Sequence, residues 1–154
     1  MTPQEQHAQF SVDCFNETWS LLEKNDRTPD EDRLMREMAH ASLFHWLKRD
    51  DCTPQNISIG LWQISRVHAV LGNGAQASHY AADGVTISTT SQLPAFCQAY
   101  AYEAVARAAL LVGDQDRFQE ALERATELTA SVDDEGDRKL LETDLDELRP
   151  HGSN

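Results

Sequence analysis

Three Thr-Pro pairs in the first third of the chain constrain its fold more than any other feature. Thr2-Pro3 and Thr28-Pro29 are each followed by Glu at the third helical position, which makes a capping box. In this motif the Thr hydroxyl accepts from a free backbone amide, Pro occupies the first helical position, and Glu reaches back to the start. Thr53-Pro54 repeats the start without the Glu. The pairs therefore predict three helices that begin near residues 2, 28 and 53.

Apolar residues that recur at the helical period extend this pattern to about seven helices. Gly72 and Gly113 are expected to end the third and fifth of them, because glycine adopts the left-handed conformation at little cost. No stretch alternates apolar and polar residues as a half-buried strand does. The sequence thus predicts an all-α fold. The expected helices cover residues 2–24, 29–49, 54–71, 75–88, 95–112 (opened by residues 91–94), 114–130 and 134–148.

The first predicted helix carries its apolar residues at the spacing i, i+3, i+7, i+10. They are Val12, Phe15, Trp19 and Leu22. This spacing gathers them on one face, which we expect to be buried against the rest of the protein.

Length and composition bound the domain organisation. With 154 residues, of which 40% are hydrophobic and 25% charged, the chain is long enough to bury a core and too apolar to be disordered. We expect a single domain over residues 1–150. The last four residues, 151–154, follow the final predicted helix and are expected to be a disordered tail.

The net charge of −13 limits the possible partners. Nucleic acids are recognised through their phosphates by a basic surface, and an anionic membrane likewise attracts basic residues. The 26 acidic residues outnumber the 13 basic ones. We therefore expect neither a nucleic acid nor a membrane as partner.

The cysteines indicate the cellular compartment. Cys14, Cys52 and Cys97 are isolated in the sequence, with no CxxC spacing among them. Such an odd, scattered set is typical of reduced thiols in a cytoplasmic protein. The N-terminus shows no basic region followed by an apolar run, and no apolar stretch is long enough to span a bilayer. The expected location is the cytoplasm.

Two segments of the chain resemble each other. Residues 65–72 read SRVHAVLG and residues 106–113 read ARAALLVG, and each is followed by a second predicted helix that contains several Ala residues. Aligning Gly72 with Gly113 gives a period of 41 residues. The chain therefore contains an internal repeat of two helices.

This repeat resembles the tetratricopeptide repeat. The resemblance rests on a small residue in the first helix (Ser65 and Ala106), a glycine at the turn, and an Ala-x3-large-x2-Ala pattern in the second helix. Phe118 stands where the family usually has Ala, Gly84 replaces the last Ala of the first unit, and the period exceeds the family's usual length of about 34 residues. The likeness covers about residues 54–130.

The resemblance implies stacked antiparallel helix hairpins. The first two helices form a degenerate third pair, and the seventh helix caps the last apolar face. Residues 62–72 and 99–108 are also similar to a set of uncharacterised bacterial proteins, a likeness that brings no known activity.

Charged residues are scarce in the middle of the chain, where only four lie between Cys52 and Val112. In tetratricopeptide-like stacks the first helix of each pair lines the concave face, which implies that residues of the third and fifth helices share one groove. Arginines and aromatic rings there hold a carboxylate, a phosphate or an acidic peptide side chain. A second cluster on the second helix is expected to face this groove or the third helix. The candidate binding residues are Trp62, Arg66, Tyr100, Glu103 and Arg107, with His45 and Trp46 from the second helix.

The same charged residues also allow a purely structural interpretation. Glu103 and Arg66 or Arg107 form a buried ion pair in that case, with Trp62 as packing. His68, on the core face of the third helix, is expected to be a buried histidine with its polar groups satisfied. His40 and His45 are five residues apart, which does not match the i, i+4 spacing of a metal pair. We expect no metal and no cofactor.

The favoured function is non-catalytic binding of a protein or peptide partner, because no nucleophile motif, phosphate loop or pair of active carboxylates stands out. The chain is not expected to be an enzyme. Exposed apolar positions on the first two helices also suggest a homodimer. Two alternatives stay open: a small-ligand (anion) binding protein or enzyme with a pocket around Arg66, Glu103 and Arg107, which His45 would also line, and a structural or assembly protein.

Overall fold

The computed structural model describes residues 1–150, which form seven α-helices and no strand. The predicted all-α class is confirmed, and the helix boundaries lie within a few residues of the predicted ones. The predicted tail, residues 151–154, lies outside the described part. None of these seven helices is both long and apolar enough to cross a membrane. The helices are α1 (Pro3–Leu22), α2 (Pro29–Leu47), α3 (Pro54–Val70), α4 (Gly74–Thr90), α5 (Ala95–Val112), α6 (Gln115–Ala130) and α7 (Glu135–Leu148).

The three Thr-Pro pairs all start helices by the same hydrogen-bond exchange. At Thr2 and Thr28 the hydroxyl accepts from the amide of the third helical residue, whose Glu side chain accepts from the Thr amide. At Thr53 an asparagine replaces the Glu. Asn56 Oδ1 accepts from the Thr53 amide at 2.9 Å, and Thr53 Oγ1 accepts from the Asn56 amide at 3.3 Å. An amide side chain thus completes a capping box that the sequence pattern left incomplete.

The helices stack as consecutive antiparallel hairpins. α1 pairs with α2, α3 with α4, and α5 with α6, and each hairpin packs on the next through α2 with α3 and α4 with α5. The odd-numbered helices also contact each other in sequence, so they form one layer of the stack. α7 packs on both α5 and α6 and covers the last hairpin, as expected for a capping helix.

Helix α5 lies at the centre of the core and is buried on almost every side. Its buried positions are mostly alanines, and Gly84 of α4 lies beside Ala101 of α5. Small side chains let neighbouring helix backbones approach closely, so the Ala- and Gly-rich α4 is held by its contacts rather than by its own helix propensity.

The apolar face predicted for α1 is buried in part: Phe15, Trp19 and Leu22 are half-buried, and Leu22 packs against the core, but the prediction is wrong for Val12. Val12 is 42% exposed, and the positions of α1 that are buried are Ser11 and Thr18. Their hydroxyls are satisfied within α1: Thr18 Oγ1 donates to the Cys14 carbonyl at 2.7 Å, and Ser11 Oγ donates to the Ala8 carbonyl at 2.9 Å. The Ser42 hydroxyl of α2 donates to the Ser11 carbonyl at 2.7 Å and joins the two helices. Small hydroxyl side chains let α1 and α2 approach closely, and Val12 lies outside this close contact.

Replacing Gly84 by Ala is expected to stabilise the protein. A Cβ atom at Gly84 would lie 3.9 Å from Leu61 Cβ and 4.0 Å from Ala101 Cβ, which is ordinary van der Waals contact. Ala in a helix interior is favoured over Gly by about 0.5–1 kcal/mol. Urea denaturation of Gly84→Ala should show a gain of that size in the free energy of unfolding.

Gly60→Ala is the matched control for this gain. A Cβ atom at Gly60 would lie only 2.9 Å from Leu43 Cδ1 of the neighbouring helix α2, so Leu43 must move to accommodate it. The expected gain at Gly60 is therefore smaller or absent. An equal gain in the free energy of unfolding at both positions would show that the free space beside Gly84 does not determine the effect of the substitution.

Candidate functional site

Five of the seven predicted binding residues come together between α3 and α5. Trp62 and Arg66 are one turn apart on α3, and Tyr100, Glu103 and Arg107 follow one another along one side of α5. Spacings of three and four residues keep side chains on one face of a helix. Because α3 and α5 pack against each other, the two faces meet. We call these five residues the α3–α5 cluster.

Glu103 is the centre of the α3–α5 cluster and has no exposed surface. Arg107 Nε donates to Glu103 Oε1 at 2.8 Å, and Arg66 Nη2 donates to the same oxygen at 3.2 Å. Trp62 Nε1 donates to Glu103 Oε2 at 3.4 Å. Burying a carboxylate is costly unless cations and hydrogen bonds offset the lost hydration. Both oxygens of Glu103 have such partners.

Helix α7 adds two carboxylates that the sequence did not indicate. Asp144 Oδ2 accepts from the Tyr100 hydroxyl at 2.8 Å and lies 3.6 Å from Arg66 Nη2. Glu147 Oε2 lies 3.5 Å from Arg107 Nη2. Asp144 and Glu147 flank the buried leucine stripe of α7. Because α7 packs on α5, the two acids come to lie beside the α3–α5 cluster. The stripe consists of Leu141, Leu145 and Leu148.

The pKa shifts in this region follow from burial and pairing. Burial raises the pKa of Tyr100, and the neighbouring carboxylate of Asp144 raises it further. Burial by itself lowers the pKa of Arg107, but the contact with Glu103 outweighs it, so the pKa lies above its ordinary value. Tyr100 thus remains a hydrogen-bond donor and Arg107 remains a cation at physiological pH. Neither is suited to proton transfer near neutrality.

Aromatic rings enclose one side of the α3–α5 cluster. The Trp62 ring contacts Trp19 of α1 edge-on, with ring centroids 5.4 Å apart, and contacts Tyr100 in the same manner at 5.2 Å. The Arg66 guanidinium lies over the Trp62 ring at 5.3 Å from its centroid. Trp19 lies on the apolar face predicted for the first helix, but the sequence did not indicate that it contacts Trp62.

The remaining two predicted residues, His45 and Trp46, do not join the α3–α5 cluster. His45 Nδ1 lies 2.9 Å from His7 Nδ1 of α1. Trp46 lies under the guanidinium of Arg49 at 3.9 Å and lines a small apolar hollow of about 260 Å³ between α1, α2 and α3. His45 thus faces α1, whereas Trp46 lies beside both α1 and α3, so the expectation that these two residues face the third helix holds for Trp46 alone. The contact between His45 and His7 could not be predicted from the sequence, because the two residues are 38 positions apart.

The arginines of the α3–α5 cluster are already paired with carboxylates inside the protein. Arg66 and Arg107 face the carboxylates of Glu103, Asp144 and Glu147. The two arginine side chains are only 13% and 19% exposed. An incoming anion would have to displace one of these carboxylates. The contacts therefore favour the ion-pair interpretation over an open anion-binding groove.

Comparisons with protein-family models, with curated proteins and with solved structures found no match. Function therefore has to be inferred from the side chains and surfaces of this chain.

A wide groove lies on the opposite side of α5, between α4 and α6. Among residues 1–150 no Cα atom of α4 lies within 8 Å of one in α6, and the gap between them encloses about 880 Å³. Tyr102 and Val105 of α5 form its floor, and Ala82, Val85 and Thr86 form the α4 wall. We call this the α4–α6 groove. Its charged residues all come from α6 and its N-cap: Asp114, Asp116, Arg117, Glu120, Glu123, Arg124 and Glu127.

The sequence did not predict the α4–α6 groove, because its existence depends on a distance between helices. Val105 follows Glu103 by two residues, which is roughly 200° around a helix. The floor of the groove and the α3–α5 cluster are therefore opposite faces of the same helix. The helical period of the sequence indicates both faces of α5, but it does not indicate the distance between α4 and α6.

A second pair of histidines lies inside the fold. His68 is 5% exposed, as expected for a core histidine, and its Nε2 lies 3.1 Å from His40 Nε2. Asn73 Nδ2 lies 3.4 Å from His68 Nδ1, and the Tyr80 ring stacks on His68. Within residues 1–150 no group of three or more His, Cys, Asp or Glu residues is arranged to hold a metal ion.

Removing the charge of Glu103 is expected to destabilise the fold strongly. Glu103→Gln leaves two largely buried guanidinium groups without their shared carboxylate, and breaking a buried ion pair by removing one partner costs about 3–5 kcal/mol. Thermal and urea denaturation measure the loss. Lys139→Gln breaks only the exposed pair with Glu135, whose side chains are 69% and 71% exposed, and should leave the transition midpoint unchanged. Equal effects of the two substitutions would contradict a structural role for Glu103.

The stability of the protein is expected to fall as the pH drops below 6.5. Burial lowers the pKa of both His40 and His68 from the ordinary value of 6.5, with opposing influences from nearby Arg36 and Glu37. The unfolded chain therefore takes up protons as the pH falls below about 6.5, where the folded chain does not yet do so, and stability is lost with falling pH.

The double variant His40→Gln/His68→Gln tests this origin of the pH dependence. Urea denaturation at a series of pH values should show a flatter profile between pH 5 and 7 than in the wild type. His79→Gln serves as the control, because His79 is an exposed histidine whose ring lies 3.7 Å from Asp83. An unchanged slope in the double variant, or an equal change in the control, would rule out the buried pair as the cause.

Proposed function

We propose that the protein is a non-catalytic binding module that holds a segment of a protein partner in the α4–α6 groove. The groove itself carries the proposal: two helices stand apart over an apolar floor, while the rest of the core is closely packed. Its volume of about 880 Å³ lies in the upper part of the range typical of ligand pockets. The α3–α5 cluster contributes by fixing the position of α5, whose opposite face is the groove floor.

We further propose that the stack is a tetratricopeptide-like repeat. The hairpins α3/α4 and α5/α6 support this, since each turns at a glycine in the left-handed conformation, Gly72 with φ 80° and Gly113 with φ 78°. The two glycines are 41 residues apart. Proteins built from such stacks use their extended surfaces for binding.

We propose that the protein is located in the cytoplasm, because its cysteine thiols are reduced. Cys14, Cys52 and Cys97 are free, and burial raises the pKa of each of them. Raised pKa values disfavour the reactive thiolate, so these residues behave as reduced packing residues rather than as redox groups.

We also propose that the protein self-associates through the α1/α2 end of the stack. Phe10 on α1 and Phe44 and Leu47 on α2 are 46%, 52% and 56% exposed. Large apolar side chains exposed together are typical of a surface that pairs with another surface. The partner is in this case a second copy of the chain.

Photo-crosslinking tests the groove as the binding surface. Thr86→p-benzoylphenylalanine places a crosslinking group on the exposed α4 wall, and Glu142→p-benzoylphenylalanine places one at an exposed position on α7. After irradiation in a lysate of the native host, the label at position 86 should give a discrete heavier adduct and the label at position 142 should not. The same label in place of Phe44 should give an adduct of twice the chain mass.

Two results would contradict these proposals. If the label at position 142 captures the same partner as the label at position 86, or if only the label at position 142 captures a partner, the interaction lies outside the α4–α6 groove. A label at position 44 that yields only monomer at concentrations of about 100 µM would remove the self-association surface, since a standard-sized interface is expected to be populated there.

A further inference from the structure

We infer that the partner segment held in the α4–α6 groove is an amphipathic helix with a row of Lys or Arg residues along one edge. This inference rests on the proposed binding function and specifies the chemistry of the partner. It follows from three properties of the groove: a regular row of carboxylates on one wall, the absence of charge on the other wall, and an apolar floor.

The α6 wall carries carboxylates at helical spacing. Asp116, Glu120, Glu123 and Glu127 lie at i, i+4, i+7 and i+11, so they form one row along the groove. At a rise of 1.5 Å per residue, the row is roughly 16 Å long. A helix that lies alongside α6 presents its own side chains at the same repeat, and cations at matching positions meet this row one by one.

Most of these carboxylates have no cationic partner of their own. Within residues 1–150, the side chains of Asp116, Glu120 and Glu123 form no ion pair, and Glu127 pairs only with Arg124, at 3.2 Å on the exposed surface. Five acidic residues and two arginines line the groove, which leaves an excess of three negative charges. By contrast, the acids around the α3–α5 cluster are already paired. Charge complementarity thus points to a cationic occupant.

The other surfaces of the groove require the occupant to be apolar as well. Ala82 and Val85 of α4 and Tyr102 and Val105 of α5 line it without a charged group. α4 and α6 are 17 and 16 residues long, which is roughly 25 Å. A helix of similar length laid between them buries an apolar stripe on the floor and against α4, in the manner of a helix docked in a groove.

A basic extended peptide and a nucleic acid fit this surface less well. An extended peptide gains affinity from an exposed strand edge, and residues 1–150 contain no strand. A nucleic acid is repelled by the carboxylate row. The occupant is therefore a helical, positively charged protein segment.

Two synthetic 18-residue helical peptides test the inference. Both carry the same leucine stripe, and along one edge one has Lys and the other Glu at i, i+4, i+7 and i+11. Fluorescence anisotropy of the labelled peptides with the full chain gives the affinities. The Lys peptide should bind about tenfold or more tightly than the Glu peptide, a difference of about 1.4 kcal/mol or more, and should weaken as salt is raised.

Charge reversal in the groove provides the matched comparison. Glu120→Lys/Glu123→Lys should weaken binding of the Lys peptide about tenfold and strengthen binding of the Glu peptide. Asp13→Lys/Glu17→Lys makes the same change in net charge at two exposed, unpaired acids of α1, and should leave both affinities within about twofold, since α1 does not contact α4, α5 or α6.

The outcomes separate the inference from the function on which it rests. Equal affinities for the two peptides, or an equal loss of affinity in the groove and control variants, would overturn the basic helix as occupant. In that case a specific adduct from the label at position 86 would leave the groove's binding role intact. No adduct at position 86 together with no preference between the peptides would overturn both. Preference for the Lys peptide that the groove variant alone abolishes supports the inference.

Discussion

The arrangement of the helices depends on one fully buried carboxylate. Glu103 accepts from Arg107 on its own helix and from Arg66 on α3, and the arginines in turn contact acids of α7. A buried ion of this kind tolerates few geometries, because each lost partner leaves a charge without hydration or pairing. The requirement fixes α3, α5 and α7 relative to one another, and with them the layer of odd-numbered helices.

This constraint also accounts for the two different faces of α5. On one face the arginines and carboxylates pair with one another inside the protein. The opposite face carries Tyr102 and Val105 and is left partly uncovered, because α4 and α6 stand apart. The residues that the sequence marks most clearly as unusual are therefore paired with one another inside the fold, and the α4–α6 groove lies on the opposite face of α5.

Much of the fold could be predicted from the sequence. The Thr-Pro starts and the left-handed glycines define helix ends through local hydrogen bonds and backbone conformation, which depend on only a few neighbouring residues. The convergence of Trp62, Arg66, Tyr100, Glu103 and Arg107 was also predictable, because helical spacing determines which residues share a face. The exposure of Val12 on α1 was not, since it depends on how closely α1 approaches α2.

Contacts between distant parts of the chain account for the rest of what the sequence did not indicate. Asp144 joins the α3–α5 cluster from α7, and His7 meets His45 from a different helix, in pairs separated by about 40 residues. The α4–α6 groove is likewise a property of the space between helices. Such features follow from the packing of complete elements, and no local pattern of residues encodes them.

The two ends of the helix stack differ, and this difference limits how the protein can assemble. α7 covers one end with a buried leucine stripe, whereas Phe44 and Leu47 leave apolar surface open at the other. A stack with two open ends can add copies without limit and grow into a fibre. If the α1/α2 end is the surface that associates, as proposed, association joins like surfaces about a two-fold axis and stops at a pair.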